Sequence, residues 1–182
     1  MRCDISLTGT IRRLGQKGFK RHIRDLCSID KEAFGTGAWS EQNFERALHG
    51  KFELSRVAFH KRKPIGYLVA SRYDRNRAHI HRLAVLSSFR RKGVGVKLCR
   101  SFENDCLRQG IVEITLESNN DRHEANCFYE RVGFRTISGL ELKEYTRRKE
   151  KTSDAERYSE LFPQGAVLVY RKQLVQSQGD SS

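Results

Sequence analysis

Between residues 78 and 108 a strand-like run gives way to a helix through a turn that carries three cations and two glycines. "AHIHRLAV" reads as a strand, and from Val94 onward Val94, Leu98, Cys99, Phe102 and Cys106 fall on one face of a helix. The join is "SSFRRKGVGVKLC", in which Arg90, Arg91 and Lys92 stand directly before Gly93 and Gly95. A strand feeding a helix through such a turn aims several unpaired backbone N–H groups at one point, and the helix dipole favours an anion there. Glycine has no β-carbon, so a phosphate can approach the backbone closely, and the cations add charge where a pyrophosphate would lie. Spacing excludes two other phosphate sites. A dinucleotide fingerprint needs a third glycine where Leu98 stands, and a P-loop needs G-K-[ST] after four spacer residues. Read alone, the turn is equally a basic loop with a flexible bend.

The rest of the chain supplies what such a unit packs against. "TGTIRRL" reads as a first strand, and residues 19–34 put Ile23, Leu26, Ile29 and Phe34 at helical spacing. "AWSEQNFERALHG" reads as a helix with Ser40 at its N-cap, Phe44, Ala47 and Leu48 as its stripe and Gly50 as its stop. "FELSRVAF" and "PIGYLVASRY" are strand-like and joined by the turn "HKRK", which makes "AHIHRLAV" the fourth strand. Past a helix stopped by Gly110, "IVEITLES" is a fifth strand with Val112, Ile114 and Leu116 on one side. "EANCFYERVGF" is a short helix ended by Gly133, and "FRTISGLEL" starts a sixth strand. Residues 143–160 read as a charged surface loop or exposed helix, and "AVLVYRKQL" is the last strand. A meander followed by strand–helix–strand–helix–strand predicts an α/β fold, a mixed central β-sheet with helices on both faces. It forms one domain over residues 1–175, with 176–182 a flexible tail.

Charge and cysteine usage narrow the setting. The 182 residues carry 35 Lys and Arg against 22 Asp and Glu, a formal charge of +13 that attracts polyanions: nucleic acid, a ribosome, an acidic protein or a phosphorylated cofactor. Cys3, Cys27, Cys99, Cys106 and Cys127 form no C-x-x-C pair and are odd in number. That argues against a zinc site or other metal and against a disulfide framework, and for reduced thiols. With no signal peptide and no apolar run of spanning length, no membrane partner is expected and a cytoplasmic location is the default.

R-R-K-G-V-G after a strand ending "RLAV" resembles the acetyl-CoA-binding motif [RQ]-x-x-G-x-[GA] of the general N-acetyltransferase (GNAT) superfamily. "ANCFYERVGF" resembles that superfamily's second signature, an alanine followed by F-Y-x-x-x-G-F. "AWSEQNFERAL" is similar to the P-W-S-x-x-x-F segment of bacterial ribosomal-protein-alanine N-acetyltransferases, the RimI type. The likeness spans roughly residues 10–139 and the last strand, in the family's order.

The resemblance implies a GNAT fold and an acetyl-CoA-dependent N-acetyltransferase in which a primary amine attacks the thioester directly. The expected acceptor is a protein N-terminal α-amine, a ribosomal protein among the candidates; the alternatives are a lysine side chain or a small amine. A polyamine is disfavoured by like charge. It also implies that the pantetheine arm adds like a strand beside Leu83, Ala84 and Val85. The pyrophosphate would rest on the amides of Arg91, Lys92, Gly93, Val94, Gly95 and Val96. Glu117 matches the family's general base and Tyr129, twelve positions later, its general acid. Other readings stay open for these two: Glu117 as a cap for the next helix, and Tyr129 as core with Ala125, Phe128 and Val132. His79, His81 and His123 are alternative bases.

Two departures from the family pattern stand out. Where many relatives carry a cofactor-contacting Asn, this chain has Arg122, with Asn119, Asn120 and Asn126 nearby. The segment between the last two strands, with Tyr145, Tyr158, Phe162 and Pro163, is longer than in the RimI type. From a different class, a basic RNA- or ribosome-binding protein without turnover is the rival. It would show aromatics interleaved with Lys and Arg on an open sheet, whereas here they follow core spacing, so direct nucleic-acid binding is not favoured.

Overall fold

In the computed structural model, which describes residues 9–150 and 167–175, seven strands form one sheet in the order β1-β2-β3-β4-β5-β7-β6. β1 (Thr10–Arg12), β2 (Arg56–His60), β3 (Lys63–Arg72) and β4 (Arg77–Val85) make an antiparallel meander. β5 (Glu113–Asn119) lies parallel to β4, reached through helix α5 (Val94–Arg108), because a parallel neighbour needs a long crossover. β7 (Val167–Gln173) runs antiparallel to β5, with the short β6 (Arg135–Thr136) outside it.

The five apolar positions expected on α5 are all buried, packed on Ala78, Ile80, Ile114 and Leu116 of the sheet. α6 (His123–Arg131) adds Phe128 and Tyr129 to the same side. On the opposite face α1 (Gln16–Arg21), α2 (Ile23–Phe34) and α3 (Glu41–Glu45) bring Phe19, Ile23, Leu26, Ile29 and Phe44 against Val57, Phe59, Tyr67 and Val69. The expected mixed sheet covered by helices on both faces is therefore the observed one.

Several element boundaries differ from expectation, each for a local reason. The helix expected over residues 19–34 is two helices that meet at His22. Ser40 caps α3 as expected, reciprocally with Asn43, but α3 stops at Glu45 rather than running to Gly50. The buried ammonium of Lys51 donates to the carbonyls of Phe44 and Arg46 and so ends that helix. Gly50, at φ +67°, opens a further turn of helix, α4 (Lys51–Leu54), from residues that read as strand. Val112 is exposed, since β5 begins one residue later.

Gly139, at φ +56°, turns the chain out of β6 into α7 (Gly139–Glu150), so the expected sixth strand is only two residues long. The charged segment thus starts as a helix. Its remainder, with Tyr158, Phe162 and Pro163, lies outside the described residues, as do Cys3 and residues 176–182. Cys27, Cys99, Cys106 and Cys127 are free thiols, and burial pushes those of Cys99 and Cys106 up to about 12.

One irregularity in the sheet positions everything that follows. β4 and β5 pair only from Arg77↔Glu113 to Ile80↔Leu116. At His81 the β4 register on β3 shifts, a bulge that bends a strand and re-aims its side chains. Beyond it Leu83, Ala84 and Val85 stay paired to β3, while Glu117, Ser118 and Asn119 stay paired to β7. The two central strands part.

The outer half of β4 is anchored to α2 by a buried carboxylate. Asp30, with no exposed surface, accepts Arg82 Nε at 2.9 Å and Arg82 Nη2 at 3.0 Å, and also the Tyr67 hydroxyl and the Trp39 amide. Charge-assisted bonds of this kind are the stronger class, and a buried charge persists only when its partners are complete.

Candidate active site

A groove of about 760 Å³ opens where β4 and β5 part, within the range of roughly 300–1,000 Å³ common to small-molecule sites. One wall is Leu83, Ala84 and Val85. The head is Arg91, Gly93, Val94, Gly95 and Val96 at the start of α5. The far wall is Arg122, Phe128 and Tyr129 around α6, with Ala33 and Phe34 from the end of α2 closing one end. Every residue that the resemblance assigns to the cofactor lines this groove except Lys92. The Lys92 ammonium instead donates to the Ser88 carbonyl at 2.8 Å and lies 5.5 Å over the Phe89 ring.

The groove head is an uncapped helix end. Gly93 sits at φ +77° as the N-cap of α5, and among the described residues no side chain accepts from the first amides. A β-carbon at Gly93 would meet nothing within 4 Å, so the glycine serves the turn's left-handed backbone and keeps the approach clear. Gly95 works differently: a β-carbon there would come within 3.1 Å of the Phe128 ring, so its absence lets α5 and α6 close at the groove floor. Four N–H groups at such an end have no helical partner, and the macrodipole adds positive potential. On the β4 wall, residues 83–85 are hydrogen-bonded on the β3 side and, among the described residues, pair with no strand on the other, which leaves a backbone edge that an extended ligand arm can join. On that edge the Val85 carbonyl accepts Arg90 Nε at 3.1 Å.

Tyr129 and Glu117 lie on opposite faces of the sheet beside the strand gap. Tyr129 lines the groove, its ring packed on Phe128, Phe134 and Tyr170. Burial holds its phenol well above the usual tyrosine range, with the guanidiniums of Arg122 and Arg82 opposing that effect. Glu117 alternates with the core residue Leu116 and so faces the α2 side; it is not part of the groove lining. Its carboxylate is nearly buried, accepts the Tyr145 hydroxyl and lies 3.7 Å from the Lys149 ammonium, both from α7. Neither α7 contact was visible as a motif, because both depend on how the charged segment folds back over β5.

The other sequence candidates resolve by position. His79 is buried, hydrogen-bonded to Thr115 Oγ1 at 2.9 Å, and its ring lies 4.8 Å from that of His81. Burial, aided by Lys149 and His81, pushes it well below the usual histidine range. His81 Nε2 meets Ser71 Oγ at 2.7 Å. His123 lies in the groove wall. Asn126 donates to the carbonyls of Asn119 and Asn120 and, like both of them, stays out of the groove, so at this point the lining residue is Arg122. Arg122 spans from the start of α6 to the Ala33 carbonyl at 3.3 Å. It shares the Phe34 ring with Arg82, the two guanidiniums lying 4.2 and 3.5 Å from its centroid.

Among known proteins, N-alpha-acetyltransferase 30 of Schizosaccharomyces pombe is 27% identical over 118 residues, which make up 63% of this chain and 78% of that protein. The crystal structure of Ard1 from Thermoplasma volcanium, 25% identical, superposes with a TM-score of 0.71 over 93% of this chain and 99% of its own. The ribosomal-protein-S18-alanine N-acetyltransferase of Escherichia coli, at 16% identity, shares the fold with a TM-score of 0.67 over 96% of this chain and 99% of that one. The family model described as Acetyltransferase (GNAT) family matches residues 23–134, a span that contains the groove head and α6. This chain belongs to the Acetyltransferase (GNAT) family and is an N-acetyltransferase that takes its acetyl group from acetyl-CoA.

Proposed function

We propose that the protein acetylates the N-terminal α-amine of a polypeptide, with Glu117 as general base and Tyr129 as general acid. The observation that carries this reading is the gap between β4 and β5. Tyr129 comes to it from the α6 face, Glu117 stands on β5 just past the last β4–β5 pair, and a groove runs from it to the uncapped start of α5. The open backbone edge over residues 83–85, the free amides of α5 and the cleared approach at Gly93 fit a thioester donor with an extended arm and a diphosphate. The likeness to N-alpha-acetyltransferase 30 supports a polypeptide α-amine as acceptor.

Acetyl-CoA supplies an activated acyl group and a thiol leaving group. The chain's part is positioning and proton transfer. Glu117 takes the proton that the ammonium of the acceptor must lose, directly or through one water, and Tyr145 and Lys149 hold the carboxylate in place for it. Tyr129, kept protonated by burial, delivers a proton to the departing sulfur. No protein nucleophile is needed, and the raised thiols of Cys99 and Cys106 suit core packing.

A panel of N-terminal peptides, lysine peptides and polyamines, read by mass and by release of free thiol, tests the acceptor. Transfer confined to α-amines supports the reading, and transfer to lysine side chains alone rejects it. Glu117→Gln is expected to lower kcat by about 10²-fold with acetyl-CoA affinity nearly intact. A kcat equal to wild type at every pH removes Glu117 from the role of base.

A further inference from the structure

We propose that the β2–β3 turn and the β4–α5 turn together form a docking surface for the phosphate backbone of RNA. The β2–β3 turn is His60-Lys61-Arg62-Lys63 and the β4–α5 turn ends in Phe89-Arg90-Arg91-Lys92. The fold sets them side by side: the Leu86 amide donates to the Ile65 carbonyl at 3.0 Å, and the His60 and Phe89 rings lie 5.3 Å apart. Lys61, Arg62, Lys63, Arg90, Arg91 and Lys92 are all exposed.

Among the described residues no ion pair neutralises them. Neither stretch contains Asp or Glu, and among the described residues none of the six makes an ion pair with a carboxylate. Glu32, engaged by the Ser87 amide at 2.6 Å, acts on Arg90 from one side. Asp121 and Glu124 line the groove along with Arg90 and Arg91, while among the described residues no carboxylate lines it beside Lys61, Arg62 or Lys63.

The backbone shows that these cations are held against local preference. Among the described residues three non-glycine positions have positive φ: Lys61 at +46°, Arg62 at +69° and Arg91 at +61°. All three are cations of this patch. A two-residue hairpin turn with both φ values positive favours Asn-Gly, and long cationic side chains there are strained. The cofactor does not account for Lys61, Arg62 and Lys63, because none of them lines the groove.

The chemistry of the patch selects the partner. A protein interface has an apolar centre, and none of the exposed large hydrophobics, Val112, Leu140, Leu142 and Val175, belongs to either turn. A dense row of cations without an apolar centre suits a regularly spaced chain of phosphates, where affinity comes from released counterions. The patch lies at the end of the sheet where β4 and β5 part, so docking there brings the groove to the polyanion.

The test compares wild type with the double variant Lys61→Asn, Arg62→Gly and the charge reversal Lys61→Glu, Lys63→Glu, using a fluorescein-labelled RNA hairpin across a salt titration. The Asn-Gly variant is expected to melt no lower than wild type, since it relaxes the turn, yet to bind the hairpin about tenfold more weakly, with the salt slope reduced by about 0.7–0.9 per charge removed. The charge reversal is expected to lose more, with KM for acetyl-CoA unchanged in both. Unaltered RNA affinity and slope in both variants overturns the proposal. So does a matching rise in KM for acetyl-CoA, which would assign the hairpin to the cofactor, and so does binding of poly-glutamate as tight as that of the hairpin, which would assign it to acidic protein. Because the readout is RNA binding, its failure leaves the acceptor assignment standing.

Discussion

Replacing Asp30 with Asn leaves the Arg82 guanidinium without its counter-charge at the hinge where β4 departs from β5. In the native protein the Asp30 carboxylate takes four donors and has no exposed surface, while the Arg82 side chain keeps 16% of its own. Asn preserves the volume and one acceptor oxygen but turns an NH₂ group toward donors. Removing one partner of a buried pair costs about 3–5 kcal/mol, and the partial exposure of Arg82 places this case near the lower figure, about 3 kcal/mol. For a domain of this size each kcal/mol moves Tm by about 2–4 °C, so the expected fall is roughly 6–12 °C. Thermal and urea unfolding followed by circular dichroism measure it. The double variant Asp30→Asn, Arg82→Met removes both charges and still offers Tyr67 and Trp39 an acceptor, and it should recover at least half of the loss, because an apolar replacement of a buried pair is often close to neutral. An Asp30→Asn protein within about 0.5 kcal/mol of wild type would refute the idea that this carboxylate neutralises Arg82. A double variant less stable than Asp30→Asn alone would show that Arg82 acts mainly through its Phe34 and Trp39 stacking.

Two further outcomes can be measured separately. Gly93→Glu introduces a side chain and a negative charge at the open, left-handed start of α5, and calorimetry should detect no acetyl-CoA binding although the helical circular dichroism is kept; wild-type affinity would rule out the phosphate seat. Burial keeps His79 neutral in the folded protein below the pH at which a free histidine charges, so unfolding takes up a proton there. Stability should therefore fall as pH drops below about 6.5 and fall less in His79→Gln, and parallel pH profiles would contradict it.

Much of this molecule was legible as local pattern. The period of the α5 face, the helix stop at Gly133 and the glycine turn behind three cations depend on residues adjacent in sequence, and each stands where its spacing put it. The motif on α6 likewise brought Tyr129 to the groove. Boundaries failed where a side chain or a left-handed glycine overrode the periodicity, as when the Lys51 ammonium ended α3 and Gly50 turned an expected strand start into helix.

What tertiary structure alone decided are the encounters across long loops. The Asp30–Arg82 pair spans 52 residues, the Tyr145 contact on Glu117 spans 28, and the His60–Phe89 contact joins two turns that share no motif. Side-chain periodicity says which face of an element is apolar, but it carries no term for which polar groups meet once those faces close. The parting of β4 and β5 belongs to the same class: it depends on a one-residue slip at His81 against β3, and no single strand's sequence contains its partner's register.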